Sequence, residues 1–179
     1  DGAGLFIRYS EVTIENTSIT NNLAENGGGG FRADFSTVFL NSVDISDNIA
    51  EDVGGGIYLG ATNLTLASSV ISGNTGWMGG GIYTSGGSIN INTSSIIHNI
   101  TNYPNLGAIE NAGGTGFSII NSIVWENLPH QLQGSITVTY SDIEGGWEGE
   151  GNINEDPLFT DPENGDFTLQ STSPCIDAG

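Results

Sequence analysis

Lysine is missing from this sequence, and its two arginines, Arg8 and Arg32, stand against 21 aspartates and glutamates, for a formal charge of −19. A chain without a basic face has no means of neutralising phosphates, which excludes nucleic acid as a partner class. The same deficit excludes an anionic membrane surface. No apolar run approaches the ~18 residues that a membrane-crossing helix needs, so no membrane insertion is expected. Cysteine is nearly absent too: Cys175 stands alone, and no disulfide can form within the chain. Charged residues make up only 13% and hydrophobic ones 36%, a balance that allows a core rather than disorder. What is plentiful is glycine, 28 of 179 residues, roughly twice the usual share. There is no Gly-X-Y period, so collagen is excluded and a repeat fold rich in tight turns remains.

The repeat is plain. GAGLFI (2–7), GGGFRA (28–33), GGGIYL (54–59), GGGIYT (79–84) and LGAIEN (106–111) align on Leu5, Phe31, Ile57, Ile82 and Ile109, separated by 26, 26, 25 and 27 residues. A second anchor ends each unit at Asn22, Asn48, Asn74, Asn99 and Asn127, separated by 26, 26, 25 and 28. Two independent anchors in register make one structural unit per repeat.

Within a unit apolar residues alternate at period two, as Ile57 and Leu59, then Leu64 and Leu66, then Ile71 do. Short alternating runs broken by Gly and Asn read as strands, and no stretch offers a helical stripe. The expected fold is all-β: a right-handed parallel β-helix, a solenoid of about 26 residues per coil with three short strands in each. Val12, Val38, Leu64, Ile89 and Phe117 form one inward column, and Ile14, Leu40, Leu66, Ile91 and Ile119 the next. Ile19, Ile45, Ile71, Ile96 and Val124 form a third. The glycine triplets fit a turn of positive φ or a close backbone approach. The asparagine column fits left-handed turn geometry, with amides bonding along the stack.

These GGGI…SxI…ISxN units resemble the right-handed parallel β-helix repeats of bacterial cell-surface and secreted proteins, and the GGA-I/FxxN repeats of polymorphic autotransporter passenger domains. The likeness covers residues 1–127, the regular coils. Residues 128–179 of the same domain carry a second likeness in Asp-Pro-Leu-Phe (156–159), Asn-Gly-Asp-Phe-Thr-Leu (164–169) and Ser-Pro-Cys-Ile-Asp-Ala-Gly (173–179). That ending resembles DPLF…GDFxL…SPxIDxG segments, and the resemblance implies irregular final coils that close the solenoid. Ser141-Asp142-Ile143 follows Ser122-Ile123-Val124 by only 19 residues, which predicts a shortened coil. Residues 144–156, glycine-rich and acidic, read as a long surface loop. At the other end Asp1-Gly2-Ala3-Gly4 enters directly at a coil's glycine turn; this reads either as excision from a longer chain or as an open end for self-association.

The families on this fold include polysaccharide lyases, which commonly use Arg or Lys as base or to neutralise an acid group. Arg32 falls in an outward column with Phe6 and Tyr58, which accounts for it as a cation–π stack. Arg8 lies one coil from Asp34 and reads as a cross-coil ion pair. Glycoside hydrolases need paired carboxylates at defined separations, yet no Asn-Thr-Asp, Asp-Asp or Gly-His-Gly run occurs as in polygalacturonases. His98 shares a column with Glu126, its expected partner. No catalytic residue is assigned on sequence.

Hard oxygen donors in glycine-broken loops suit Ca²⁺. Asp161, Glu163, Asn164 and Asp166 form one such loop, for which Asx-turn capping is the competing account. Glu25 and Glu51, with Asp52 above Asn26, fall one coil apart, and like charges at ~5 Å repel unless solvated or bridged by a cation. Trp77, Met78 and Trp147 lie in acidic turns, where an aromatic stacks on a sugar, docks a partner or covers a turn. The richness in Asn, Thr, Ser and Gly suits an extracellular or cell-surface location. Two functions are expected from these features: a non-enzymatic structural or adhesive β-helix domain, stacking end to end into a filament, or a carbohydrate-active module that cleaves or binds polysaccharide.

Overall fold

Alternation at period two builds the expected strands, and the strands pair in parallel from coil to coil. A computed structural model describes residues 4–176. The first three residues, and Asp177, Ala178 and Gly179 of the closing motif, lie outside the described residues, as does most of the predicted open first end. Three six-stranded parallel sheets run the length of the molecule. The first holds Leu5–Arg8, Phe31–Asp34, Ile57–Gly60, Ile82–Thr84, Gly107–Asn111 and His130–Gly134. The second runs from Glu11–Glu15 to Thr137–Thr139, and the third from Ser18–Thr20 to Asp142–Ile143. A fourth, narrower sheet was not expected: Leu23–Ala24, Ile49–Ala50, Thr75–Gly76 and Ile100–Thr101 pair in register. Two residues per strand are too few to show alternation, so the sequence pattern reads as turn there.

The three inward columns are in the predicted register: Val12 pairs Val38, Leu66 pairs Ile91, and Ile96 pairs Val124. Phe31, Leu59, Leu66, Ile71 and Ile96 are fully buried. At roughly 25 cal/mol per Å² of apolar area, each such side chain contributes about 2 kcal/mol, and only because a neighbouring coil covers it. No single coil can hold that core alone.

The corners differ from expectation in one respect. The asparagine ladder is there, but the left-handed residue is the one before it: Asn21, Asp47, Gly73, His98 and Glu126 have φ between 50° and 64°. Those preceding residues turn the chain, which frees the asparagine side chains to point inward. Asn48 Nδ2 donates to Asn74 Oδ1 at 2.9 Å, Asn74 Nδ2 to Asn99 Oδ1 at 2.9 Å, and Asn99 Nδ2 to Asn127 Oδ1 at 2.9 Å. A second ladder, of hydroxyls, stands at another corner: the backbone N–H groups of Val43, Ser69, Ser94 and Ser122 donate to the hydroxyls of Ser69, Ser94, Ser122 and Ser141. The glycine turn carries positive φ at Gly28, Gly54 and Gly79, as the triplets predict.

The two C-terminal segments exchange the roles expected of them. Residues 144–156 are not a free loop. Trp147 packs against the end of the core and its Nε1–H donates to Ile136 O at 3.4 Å. Asn152 Oδ1 accepts from Ser141 N at 3.1 Å, completing the hydroxyl ladder, while its Nδ2 donates to Val138 O at 3.0 Å. The segment therefore closes the stack. Residues after it form no final coil: Phe159–Asp161 and Asp166–Leu169 make an antiparallel hairpin around a 3₁₀ turn at Pro162–Asn164. The hairpin lies back on the outer face of the third sheet, with Phe167 edge-on to His98 at 5.8 Å and to Phe159 at 5.5 Å. The reason is in the third sheet itself. Its outward positions are polar in the first two coils (Ser18, Thr20, Asp44, Ser46), mixed in the next two (Val70 with Ser72, Ser95 with Ile97) and apolar in the fifth (Ile123, Trp125), and Ile97 is fully buried. A strand apolar on both faces needs a cover on both.

Candidate functional site

The hairpin does not seal against the sheet along its whole length. Beneath it lies a cavity of about 470 Å³, walled by Ile123, Tyr140, Ile153, Phe167 and Leu169, with Asp142 and Cys175 as its charged and sulfur groups. Apolar walls with a few convergent polar groups are the usual make-up of a small-ligand site. Asp142 is placed by the third sheet's last strand and Cys175 by the chain leaving the hairpin. Cys175 Sγ donates to Asp142 Oδ2 at 3.1 Å, and Glu155 N donates to Asp142 Oδ1 at 3.2 Å.

Burial raises the Asp142 carboxyl above the ordinary aspartate range, against the lowering effect of those two donors. Burial and the neighbouring Asp142 push the Cys175 thiol up to about 12. A thiol held protonated at neutral pH is a hydrogen-bond donor and not a nucleophile. Its chemistry here is to tie the hairpin's exit to the last coil.

The residues singled out on sequence fall at three places. Asp161, Glu163, Asn164 and Asp166 form the hairpin tip, where Gly165 takes φ 80°. Both Asp161 carboxylate oxygens accept from Asn164 Nδ2, at 3.0 and 2.9 Å, and Asp166 Oδ1 accepts from Thr168 N at 3.0 Å. The Asp166 bond is that of an Asx-turn, whereas Asp161 and Asn164 join side chain to side chain. Glu25, Glu51 and Asp52 are exposed on successive turns beside the fourth sheet, some distance in the chain from that tip. Among the described residues no three His, Cys, Asp or Glu side chains group so as to hold a metal ion. Trp77 is exposed and meets Tyr103 edge-on at 5.8 Å, Met78 is half-buried and bridges Val53, and Trp147 is the core-closing side chain described above.

Both arginines and His98 are spent on the stack. Arg32 lies over Phe6 at 5.6 Å and over Tyr58 at 4.6 Å, as expected. Arg8 corrects its expectation. It is in register with Asp34, but Arg32, two residues away on the same face, takes that carboxylate with Nε and Nη2 at 3.1 Å each. Arg8 instead covers the Tyr9 ring at 4.8 Å. His98 Nε2 meets Glu126 Oε2 at 2.6 Å, the predicted pair.

Compared with models of protein families, with curated proteins and with solved structures, the chain matches none. Function is therefore argued from these sites alone.

Sequence reasoning missed Asp142, Cys175 and Glu110. The first two had a signal: the doubly apolar run Ile123-Val124-Trp125 announces a covered strand, and whatever covers it builds the cleft. Glu110 had none. It stands in the arginine–aromatic column next to Tyr83, only 7% exposed, and its Oε2 has no hydrogen-bond partner among the described residues. Burial raises its pKa. A carboxyl so raised favours the folded state while protonated; that stability is full below the ordinary glutamate range and is lost as pH rises through the raised value. Asp142 acts in the same sense, and exposed Asp166, lowered by its bonds to Thr168, in the opposite one. Glu110→Gln is thus expected to raise the urea midpoint at neutral pH, by about 1 kcal/mol of stability, and to change little at acid pH where wild-type Glu110 is already neutral. An equal gain at both pH values would show that burial of the charge is not the cause.

Proposed function

We propose that this chain is a non-catalytic structural or adhesive element of an extracellular or cell-surface protein, a rigid β-solenoid that presents its faces rather than a reaction centre. The observation that carries the reading is where its distinctive polar groups go. The asparagines and serines bond coil to coil, both arginines stack in or beside the aromatic columns, and His98 is paired across coils. The acidic turns keep such a rod soluble and apart from other anions. The likeness of its GGGI/ISxN units to surface β-helix repeats supports the location.

A second reading, saccharide binding, draws on the strapped cleft. There Tyr140 and Phe167 offer rings, and Thr93, Ser95 and Asp142 offer oxygen partners. One experiment separates these from catalysis. The folded chain is incubated with a panel of acidic and neutral polysaccharides, and new reducing ends and unsaturated sugars are measured. The expected result is no product, with any binding abolished by filling the cleft with Ser95→Trp. Turnover that disappears in Asp142→Asn would overturn the non-catalytic reading.

A further inference from the structure

The fourth sheet carries an outward column that nothing described so far uses. Leu23, Ile49, Thr75, Ile100 and Leu128 stand in register, one per coil, along five coils. Four of the five are aliphatic, and they are 64%, 47%, 40% and 60% exposed in the order Leu23, Ile49, Ile100 and Leu128. The second sheet's outward column, by contrast, runs Thr13, Phe39, Thr65, Asn90 and Ser118. The molecule itself shows what outward aliphatics call for: on the third sheet they lie under the hairpin, and Ile97 has no exposed surface left. The fourth sheet has an apolar outer face that nothing covers among the described residues. Contiguous exposed apolar surface with a polar rim marks an interaction site.

The rim defines the occupant. On one side the corner column places Asp47 and Glu126 beside the ladder; on the other the next outward positions place Glu25, Glu51 and Trp77. His98 on the first rim is held by Glu126. A second copy of a chain of charge −19 would set carboxylates against carboxylates. A cationic partner is complementary instead. Spacing narrows it further. The ladder repeats every ~4.8 Å. An α-helix lying along the rod brings an apolar residue round every ~5.4 Å, whereas an extended strand offers same-face side chains only every ~6.7 Å and drifts out of step within two coils.

We propose that the Leu23–Ile49–Thr75–Ile100–Leu128 ladder is a docking face for a basic amphipathic helix of about four turns, its apolar stripe on the aliphatics and its Lys or Arg flanks on the two acidic rims, with Trp77 as an aromatic anchor. The inference adds a partner class to the structural role proposed above and is tested apart from it: polysaccharide turnover bears on that role alone, and helix binding on this face alone.

The probe is a synthetic peptide of leucine and lysine with leucine at every third or fourth position, compared by fluorescence anisotropy with a scrambled peptide of the same composition. The amphipathic peptide is expected to bind about tenfold tighter than the scramble, a difference of ~1.4 kcal/mol, and to shift Trp77 fluorescence. Ile49→Asn with Ile100→Asn is expected to abolish that difference while the far-UV circular dichroism stays that of the folded chain, since both side chains point outward and are 47% and 40% exposed. Glu25→Lys with Glu51→Lys is a second, independent variant that weakens the amphipathic peptide through the rim. Equal binding of the two peptides overturns the proposal, as does unchanged binding in the aliphatic double variant. A concentration-dependent dimer in sedimentation equilibrium that is lost in that variant also overturns it, in favour of a second copy as occupant.

Discussion

Asn74→Leu is expected to lower stability by about 2–6 kcal/mol, a large part of what holds the chain folded, although leucine shares asparagine's branched outline. Asn74 is fully buried at the middle of the ladder. Its Oδ1 accepts from Asn48 N at 3.0 Å and from Asn48 Nδ2 at 2.9 Å, and its Nδ2 donates to Ile45 O at 2.8 Å and Asn99 Oδ1 at 2.9 Å. Leucine would satisfy none of these, and each buried group left without a partner costs about 1–3 kcal/mol. Asn48 Nδ2 keeps Ile19 O and Asn99 Oδ1 keeps the backbone N–H of residue 74, so two groups, Asn48 N and Ile45 O, lose their partner here, which costs ~2–6 kcal/mol against a total stability for domains of about 5–15 kcal/mol. Asn22→Leu is the internal comparison. Asn22 sits in the first coil, half-buried, and among the described residues its side chain donates to Asn48 Oδ1 and to Thr20 O. Its loss should cost a fraction as much. Far-UV circular dichroism through a urea titration reads both, and equal costs would mean that the ladder is not what makes Asn74 indispensable.

The same ladder shows how far the sequence could be read. Its register follows from spacing alone, because an asparagine every 26 residues can only stack on its like, and the three apolar columns follow from period two. What spacing does not carry is which of two adjacent residues turns the corner. Asn21, Asp47, Gly73 and His98 are of types that tolerate the left-handed conformation, but so is the asparagine that follows each, and Glu126 takes it with nothing in its chemistry to announce it, since the strain of one residue, of order 1 kcal/mol, is set by the stack around it. The loop expected at 144–156 fails for a related reason. Glycines and acids between 144 and 156 look like a solvated loop, yet Trp147 and Asn152 make that segment the closing piece. A single Trp and a single Asn cannot show periodicity. The cleft was half legible, in the apolar outward residues Ile97 and Trp125; the meeting of Asp142 with Cys175, 33 residues away, depends on the hairpin's fold and leaves no local pattern.

Gly55→Ala should destabilise the chain by about 3 kcal/mol or more, at the top of the range for overpacking a tight core, whereas Gly145→Ala should cost only ~1–2 kcal/mol. The two glycines are needed for different reasons. Gly145 has φ 84° but open space where a Cβ would stand, so alanine there meets only the strain of a left-handed backbone. Gly55 is not in the left-handed region, and the obstacle is crowding. A Cβ would run into the carbonyl oxygens of Thr75 and Gly80, both main-chain atoms of the next coil. Neither can swing aside as a side chain would. The Gly80 carbonyl is already the acceptor for Gly56 N at 2.9 Å, and the Gly55 carbonyl accepts from Gly30 N at 3.1 Å in the coil before. Making room for one methyl group therefore means widening the step between coils at that corner, which lengthens hydrogen bonds on both sides and lifts Ile57 and Ile82 out of contact in the core beneath. Urea midpoints of the two variants separate the causes. If Gly55→Ala proved as mild as Gly145→Ala, the glycine triplets would be there for backbone freedom, and the close approach of successive coils would not be the constraint that keeps the repeat in step.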